Sequence, residues 1–176
     1  WGAALASPAR RAALNPLKRE EARKSAKLRH FSVLCSEVLE WLYVAGKAVA
    51  GNEEQLIDNG ITHILNSSVT HCPNFFEAGG RFAYLGFRLH DSRDEEVVWF
   101  MYQAFDFIEG ARRARGRCLV HCVEGVSRSC ALAAAYLMWR QTLPYDQALQ
   151  AVRAARGVAS PNIGFACQLL EWQKLR

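Results

Sequence analysis

The sequence contains no apolar run of the roughly 20 residues that a membrane-spanning helix needs. The longest candidate, Cys130–Trp139, is too short and fits a core helix better. It also has no Cys-x2-Cys pair and no His/Cys set with zinc-ligand spacing, so we expect neither a metal nor a cofactor. Internal repeats and low-complexity tracts are missing too. What remains is a globular domain, with 51% hydrophobic and 22% charged residues.

Six cysteines are present, and their setting argues against a disulfide framework. The chain is 176 residues long, which is enough for one domain with a real core and a tail. Several cysteines lie in apolar runs, where a free thiol behaves as a small hydrophobe. We therefore predict a reducing compartment, the cytosol or the nucleus. The first residue is Trp rather than Met, so we expect a fragment of a longer protein.

The net charge of +5 is concentrated at one end of the chain. Residues 1–30 contain eight Lys/Arg against two Glu, so the remainder is close to neutral. We predict a basic, partly helical extension over residues 1–35 and a folded domain over residues 36–176. A basic arm can bind nucleic acid, a membrane surface or an acidic protein groove. We expect a solvated, partly ordered extension here or, alternatively, a docking segment for a protein partner, with no nucleic acid and no membrane.

Strand-like and helix-like segments alternate after this arm. Short apolar runs over Leu42–Ala45, Ile61–Leu65, Phe82–Leu89 and Cys118–His121 predict strands. Helical spacing predicts helices over 52–59, 95–115, 129–140 and 145–155, and a last helix opened by Ser160 as N-cap. The alternation predicts an α/β fold of three layers, with a central, mostly parallel sheet flanked by helices.

One loop joins the strand at Cys118–His121 to the helix that follows, and it contains the candidate chemistry. It reads His121-Cys122-Val123-Glu124-Gly125-Val126-Ser127-Arg128-Ser129. Backbone N–H groups at a helix start, together with the helix dipole, form a cradle for an oxyanion. Cys122 in that cradle is expected to be a thiolate nucleophile at neutral pH. Arg128 offers a planar fork of donors for two phosphate oxygens.

The neighbours of the nucleophile have supporting tasks in this interpretation. Gly125 can adopt the positive φ that keeps the loop compact. Ser129 is expected either to cap free amides or to donate to the Cys122 sulfur when that sulfur leaves. His121 is expected to orient the loop rather than act as a base. The alternative is a buried structural cysteine beside a surface arginine.

His-Cys-x5-Arg-Ser is the signature of the protein tyrosine phosphatase superfamily, and the form found here resembles the dual-specificity phosphatases. The resemblance runs from about Ser36 to Arg176. It includes Leu42–Gly46, Gly60–Asn66, the Asp91 region, Ala135–Met138 and Ser160–Phe165. Within the family, the chain looks most like the plant-type MAP kinase phosphatase 1 group. The resemblance implies a protein tyrosine phosphatase-like fold and no metal or cofactor.

The leaving oxygen of a phosphate ester needs a proton donor, and the acidic residues Asp91, Asp94, Glu95 and Glu96 cluster in one loop. Asp91 directly follows a predicted strand and matches the position of the family's general acid. For the other three we predict compensation of the helix dipole. Asn162 resembles a family asparagine that braces the catalytic loop, and Asn66 is a candidate cap for a strand end near the site.

The substrate is predicted to be phosphoprotein, with phosphoserine and phosphothreonine accepted as well as phosphotyrosine. Val123, Glu124 and Val126 stand where related phosphoinositide enzymes tend to place lysines, and Glu124 would repel a highly anionic head group. The basic arm, with Arg23 and Lys24 ahead of spaced apolar residues, resembles MAP kinase docking segments. The alternatives are a catalytically weak docking module and a phosphatase of a non-protein ester. Disulfide trapping of Cys122 by Cys118 or Cys130 is a further hypothesis, with packing as the other role.

Overall fold

The computed structural model describes residues 16–176 and contains one five-stranded sheet. The strand order is β1-β2-β5-β3-β4, with β1 antiparallel to β2 and every other neighbouring pair parallel. The strands are β1 Ser36–Leu39, β2 Leu42–Ala45, β3 Ile61–Asn66, β4 Ala83–Gly86 and β5 Arg117–His121. The predicted mostly parallel sheet is therefore confirmed, and β5 lies at its centre.

Seven α-helices surround this sheet in the described part of the chain. They are α1 Pro16–Ser32, α2 Lys47–Ala50, α3 Glu53–Asp58, α4 Val98–Arg113, α5 Arg128–Gln141, α6 Tyr145–Ala155 and α7 Ile163–Lys174. Side chains alternate between the two faces of each strand. Leu42, Val44 and Val120 share a core with α4 to α7, whereas Tyr43 and Leu119 share a second core with α2 and α3. This arrangement is the predicted three-layer α/β fold.

Helix α5 is buried over eleven consecutive residues, from Arg128 to Met138. It packs against the sheet on one side and against α4, α6 and α7 on others. A helix buried on most of its surface needs small apolar side chains, and Ala131, Ala133, Ala134 and Ala135 supply them. This rigid support fixes the position of the loop that enters the helix.

Several predicted boundaries were wrong. Helix α7 is capped by Asn162, whose Oδ1 accepts from the Phe165 N–H at 3.0 Å, and not by Ser160. The Ser160 N–H instead donates to the carbonyl of Val126 at 2.8 Å. Helix α4 begins at Val98, so the acidic residues at 94–96 precede its first turn. These residues were predicted from the sequence to compensate the helix dipole, but they do not lie in the first turn, where that effect is strongest.

Helix α1 lies within the predicted basic arm; the arm's residues before Pro16 fall outside the described residues. The helix has no fully buried residue, and Leu17 is 71% exposed. Only its end, at Phe31, reaches partial burial against the catalytic domain.

Candidate active site

Cys122 lies at the carboxyl end of β5, where ligands bind in open parallel sheets. Its side chain is nearly buried, with 2% of the residue exposed. The Sγ atom accepts the N–H of Gly125 at 3.2 Å, and the Oγ atom of Ser129 lies 3.4 Å from it. The Gly125 N–H stabilises negative charge on the sulfur, and the Ser129 hydroxyl can donate to the sulfur when it is ionised. The predicted contact between Ser129 and the nucleophile is thus present.

The carbonyl groups of the loop turn away from the cavity. The carbonyl of Val123 accepts from a backbone N–H of α2, and that of Val126 from the segment before α7, both at 2.8 Å. The carbonyls of Glu124 and Gly125 accept from Arg156. In a planar trans peptide the N–H points opposite to the C=O. The loop N–H groups are therefore turned toward the side where a phosphate would lie.

Gly125 is required at its position by backbone geometry. Its φ is +68°, and a Cβ atom built there would lie 2.4 Å from the carbonyl oxygen of Ala45. The same atom would approach Arg156 Nη2 to 2.5 Å. Any side chain would displace the loop, so the prediction of a positive-φ glycine agrees with the structure.

Arg128 is the first residue of α5 and is 6% exposed. Its Nη1 donates to the carbonyl of Leu89 at 3.3 Å, and its Nε lies 3.8 Å from Asp91 Oδ2. These contacts hold the guanidinium over the loop. A cavity of about 260 Å³ is lined by seven residues: Asp91, Cys122, Val123, Glu124, Val126, Ser127 and Arg128. The structure thus brings the predicted nucleophile, arginine and acid into one cavity.

The carboxylate of Asp91 is held by two donors. Its Oδ1 accepts from Ser127 Oγ at 2.6 Å and from Asn162 Nδ2 at 2.8 Å. The Asn162 N–H in turn donates to Ser127 Oγ at 3.0 Å. The side chain remains 38% exposed, so a substrate can reach it. Asn162 therefore reaches the catalytic loop through Ser127 and the acid, a pairing that no local pattern in the sequence indicated.

His121 is fully buried, and burial lowers its pKa to about 4. The ring is therefore neutral at pH 7. Its Nδ1 lies 3.3 Å from the carbonyl oxygen of Cys122, the geometry of a donor that orients the loop. Asn66 instead braces the segment after β3, by donating to Cys72 and Asn74 at 2.9 Å each.

The two thiols nearest the loop in sequence are buried and protonated. Burial raises the pKa of Cys118 well above its ordinary value and that of Cys130 to about 12. Cys130 Sγ donates to the carbonyl of Gly125 at 3.4 Å. These contacts are typical of packing thiols.

Replacement of Asn162 is expected to separate its two roles. Asn162→Ala removes both the α7 cap and the donor to Asp91, so we expect a loss of about 1 kcal/mol in stability and about tenfold in kcat. Asn162→Ser keeps the cap but not the amide donor, so kcat is expected to fall while the melting temperature holds. In an Asp91→Asn background neither change should lower kcat further. Unchanged kcat in Asn162→Ala would refute the bracing role.

The comparison with known proteins assigns the chain to a family. The family model "Dual specificity phosphatase, catalytic domain" matches residues 42–175. The chain belongs to this family. It is 47% identical over 151 residues to protein-tyrosine-phosphatase MKP1 of Arabidopsis thaliana, a match that covers 86% of this chain and 19% of that protein. The predicted resemblance to plant-type MAP kinase phosphatase 1 is confirmed.

Relatives from animals and solved structures agree. Human dual specificity protein phosphatase 1 is 35% identical over 78% of this chain and 36% of its own length. The chain thus spans 19% to 36% of the length of these curated relatives. The crystal structure of DUSP15 superposes with a TM-score of 0.73 at 32% identity, covering 79% of this chain and 86% of that one. The crystal structure of human tyrosine phosphatase-like serine/threonine/tyrosine-interacting protein superposes with a TM-score of 0.72 at 30% identity. The match covers 80% of this chain and 96% of that one.

Between residues 16 and 176, none of the helices combines the length and apolar character that crossing a bilayer requires. In that same part of the chain, no three potential metal-binding side chains come together.

Proposed function

We propose that this domain hydrolyses phosphotyrosine, phosphoserine and phosphothreonine in proteins through a cysteinyl-phosphate intermediate. The observation that carries the proposal is that Cys122, Arg128 and Asp91 line one cavity. The Cys122 thiolate attacks phosphorus, and the bond from phosphorus to the ester oxygen breaks. Asp91 gives its proton to that leaving oxygen. Arg128 and the loop N–H groups hold the charge on the phosphoryl oxygens.

The second step releases phosphate. The Asp91 carboxylate takes a proton from a water molecule, whose oxygen attacks the phosphorus of the intermediate. The S–P bond then breaks, and its electron pair returns to the sulfur. Ser129 Oγ, 3.4 Å from Sγ, stabilises the thiolate that forms. Because the group transferred is a phosphoryl group held by amides and one guanidinium, neither step requires a metal.

The lining of the cavity favours a protein substrate. Apart from Arg128, no Lys or Arg side chain lines the described cavity, and Glu124 contributes a carboxylate at its rim. One guanidinium suits one phosphate monoester better than a head group with several phosphates. Hydrolysis of a phosphopeptide at a rate well below that of a phosphoinositide would favour the non-protein alternative instead.

We propose a MAP kinase as the substrate, bound in part by helix α1. The proposal is supported by the similarity to MKP1 and by the basic surface of α1, where Arg23 and Lys24 are exposed. Phe31, one of the apolar residues of the suggested docking segment, packs against Arg156, whereas Val33 is 60% exposed. The six free thiols support the cytosol or the nucleus as the compartment.

A charge reversal tests this docking. Arg23→Glu with Lys24→Glu is expected to raise KM for a doubly phosphorylated MAP kinase about tenfold or more, because opposite charges speed encounter. Turnover of a small aryl phosphate should stay the same. The matched control is Arg113→Glu with Arg115→Glu, the same charge change at the exposed end of α4. Docking on α1 would be refuted if KM for the kinase rose equally in both double variants, or if it rose in neither.

A further inference from the structure

We infer that Arg156 is a positioning residue that orients the peptide groups of the phosphate loop and joins that loop to the end of α1. The inference rests on the proposed function, since the loop it orients is the one assigned to phosphoryl transfer. Arg156 follows the last residue of α6, and no role in the site was predicted for it from the sequence.

The setting of this guanidinium is unusual for an arginine. The residue is 0% exposed, and its hydrogen bonds among the described residues go to carbonyl and hydroxyl oxygens rather than to a carboxylate. Those partners are Phe31, Leu34, Ser36, Val44, Glu124 and Gly125. A buried charge without an ionic partner is costly, and burial lowers its pKa accordingly. The hydrogen bonds to these six residues must therefore replace the hydration that the guanidinium loses on burial.

One peptide group links Arg156 to the nucleophile. The carbonyl oxygen of Glu124 accepts from Arg156 Nη2 at 3.0 Å, and the N–H of the same peptide, on Gly125, donates to Cys122 Sγ at 3.2 Å. Because the peptide is planar and trans, fixing its carbonyl fixes the direction of its N–H. Arg156 therefore holds in place the donor that stabilises the thiolate.

The next peptide is held in the same way. The carbonyl of Gly125 accepts from Arg156 Nε as well as from the Cys130 thiol. The N–H of Val126 is thereby turned toward the cavity, where it can meet a phosphoryl oxygen. A single guanidinium thus sets two consecutive amides of the cradle.

The same guanidinium also holds the end of α1 and the segment just after it. Nη2 donates to the carbonyl of Phe31 at 3.1 Å and Nη1 to that of Leu34 at 3.2 Å. The Phe31 ring centroid lies 5.7 Å from the guanidinium carbon, within cation–π distance. A Cβ atom at Gly157 would lie 3.2 Å from the Phe31 ring and 2.9 Å from Lys27. The small residue lets α1 approach this closely.

Arg156→Lys tests the inference, because lysine keeps the charge but cannot bond two carbonyls with one planar fork. We expect kcat for an aryl phosphate to fall roughly 10–100-fold with little change in KM, as for a misplaced catalytic group. Binding of orthovanadate, read from the rise in melting temperature it causes, should weaken about tenfold. The matched control is Arg153→Lys, whose exposed side chain donates to the carbonyl of Ala159 outside the loop.

A folded Arg156→Lys variant with unchanged kcat and vanadate binding would overturn the inference, as would equal losses in Arg153→Lys. If Arg156→Lys does not fold, Phe31→Ala decides. It removes only the ring stacked on Arg156, and vanadate binding should weaken about twofold to fivefold. If Phe31→Ala bound vanadate as tightly as the exposed control Leu17→Ala, that result would count against the inference. Vanadate binding needs no turnover. An inactive parent protein would therefore refute the proposed function, while the role of Arg156 could still be tested by vanadate binding.

Discussion

Cys122→Ser is expected to lower turnover of an aryl phosphate by roughly 10⁵–10⁶-fold, as replacement of an enzyme nucleophile does. A cysteine thiol is intrinsically more nucleophilic than a serine hydroxyl, and a serine at this position would need a general base. His121 cannot serve, because its Nδ1 faces the Cys122 carbonyl and its Nε2 has no partner among the described residues. Steady-state hydrolysis of para-nitrophenyl phosphate provides the measurement.

The control for this loss is Cys167→Ser. Cys167 is an exposed thiol on α7, outside the cavity. Its replacement should leave turnover within a factor of two, which separates loss of the nucleophile from general effects of thiol removal. If Cys122→Ser kept a tenth of wild-type activity, water or another side chain would have to be the attacking group.

Asp91→Asn is expected to lower kcat by about 10²–10⁴-fold on a phosphoserine peptide. The size of the loss should depend on the leaving group. A nitrophenolate can leave without being protonated, so kcat for an aryl phosphate should fall only slightly. An alkoxide cannot leave without a proton, so kcat for the phosphoserine peptide should fall steeply. Asparagine keeps an oxygen that can accept from Ser127 and Asn162, so the loop itself should be preserved.

The dependence of the loss on the leaving group needs a matched control. Asp94→Asn is the matched control, since Asp94 lies in the same loop and does not line the cavity. Equal losses on good and poor leaving groups would show that Asp91 does not protonate the leaving oxygen.

The elements that sequence predicted well have strong local signals. The runs at Leu42–Ala45 and Arg117–His121 are apolar strands, and Tyr145–Ala155 matches its predicted helix. Strand β1 was missed because Ser36–Leu39 is short and begins with Ser-Glu, and its identity depends on pairing with β2. Helix α2 was missed because it spans only four residues after Gly46.

The site divides in the same way. Cys122, Arg128 and Ser129 lie close together in sequence, between an apolar strand and an apolar helix. Their spacing in that context indicated an oxyanion site. Asp91 was found because it follows a predicted strand and matches the family position, although strand β4 ends earlier, at Gly86. By contrast, Arg156 meets the loop 31 residues away in sequence. That contact is made by tertiary packing, which no local pattern of residue types reveals.

The most direct measurement of the central claim is to trap the phosphorylated enzyme. Ser129→Ala removes the donor to the leaving sulfur, so breakdown of the intermediate should become rate-limiting. Rapid acid quench with an aryl phosphate, followed by intact mass and peptide mapping, should show one phosphate on Cys122. It should also show a burst of the released phenol equal in concentration to the enzyme. Turnover without any phosphoenzyme, or with the phosphate on another residue, would contradict the account.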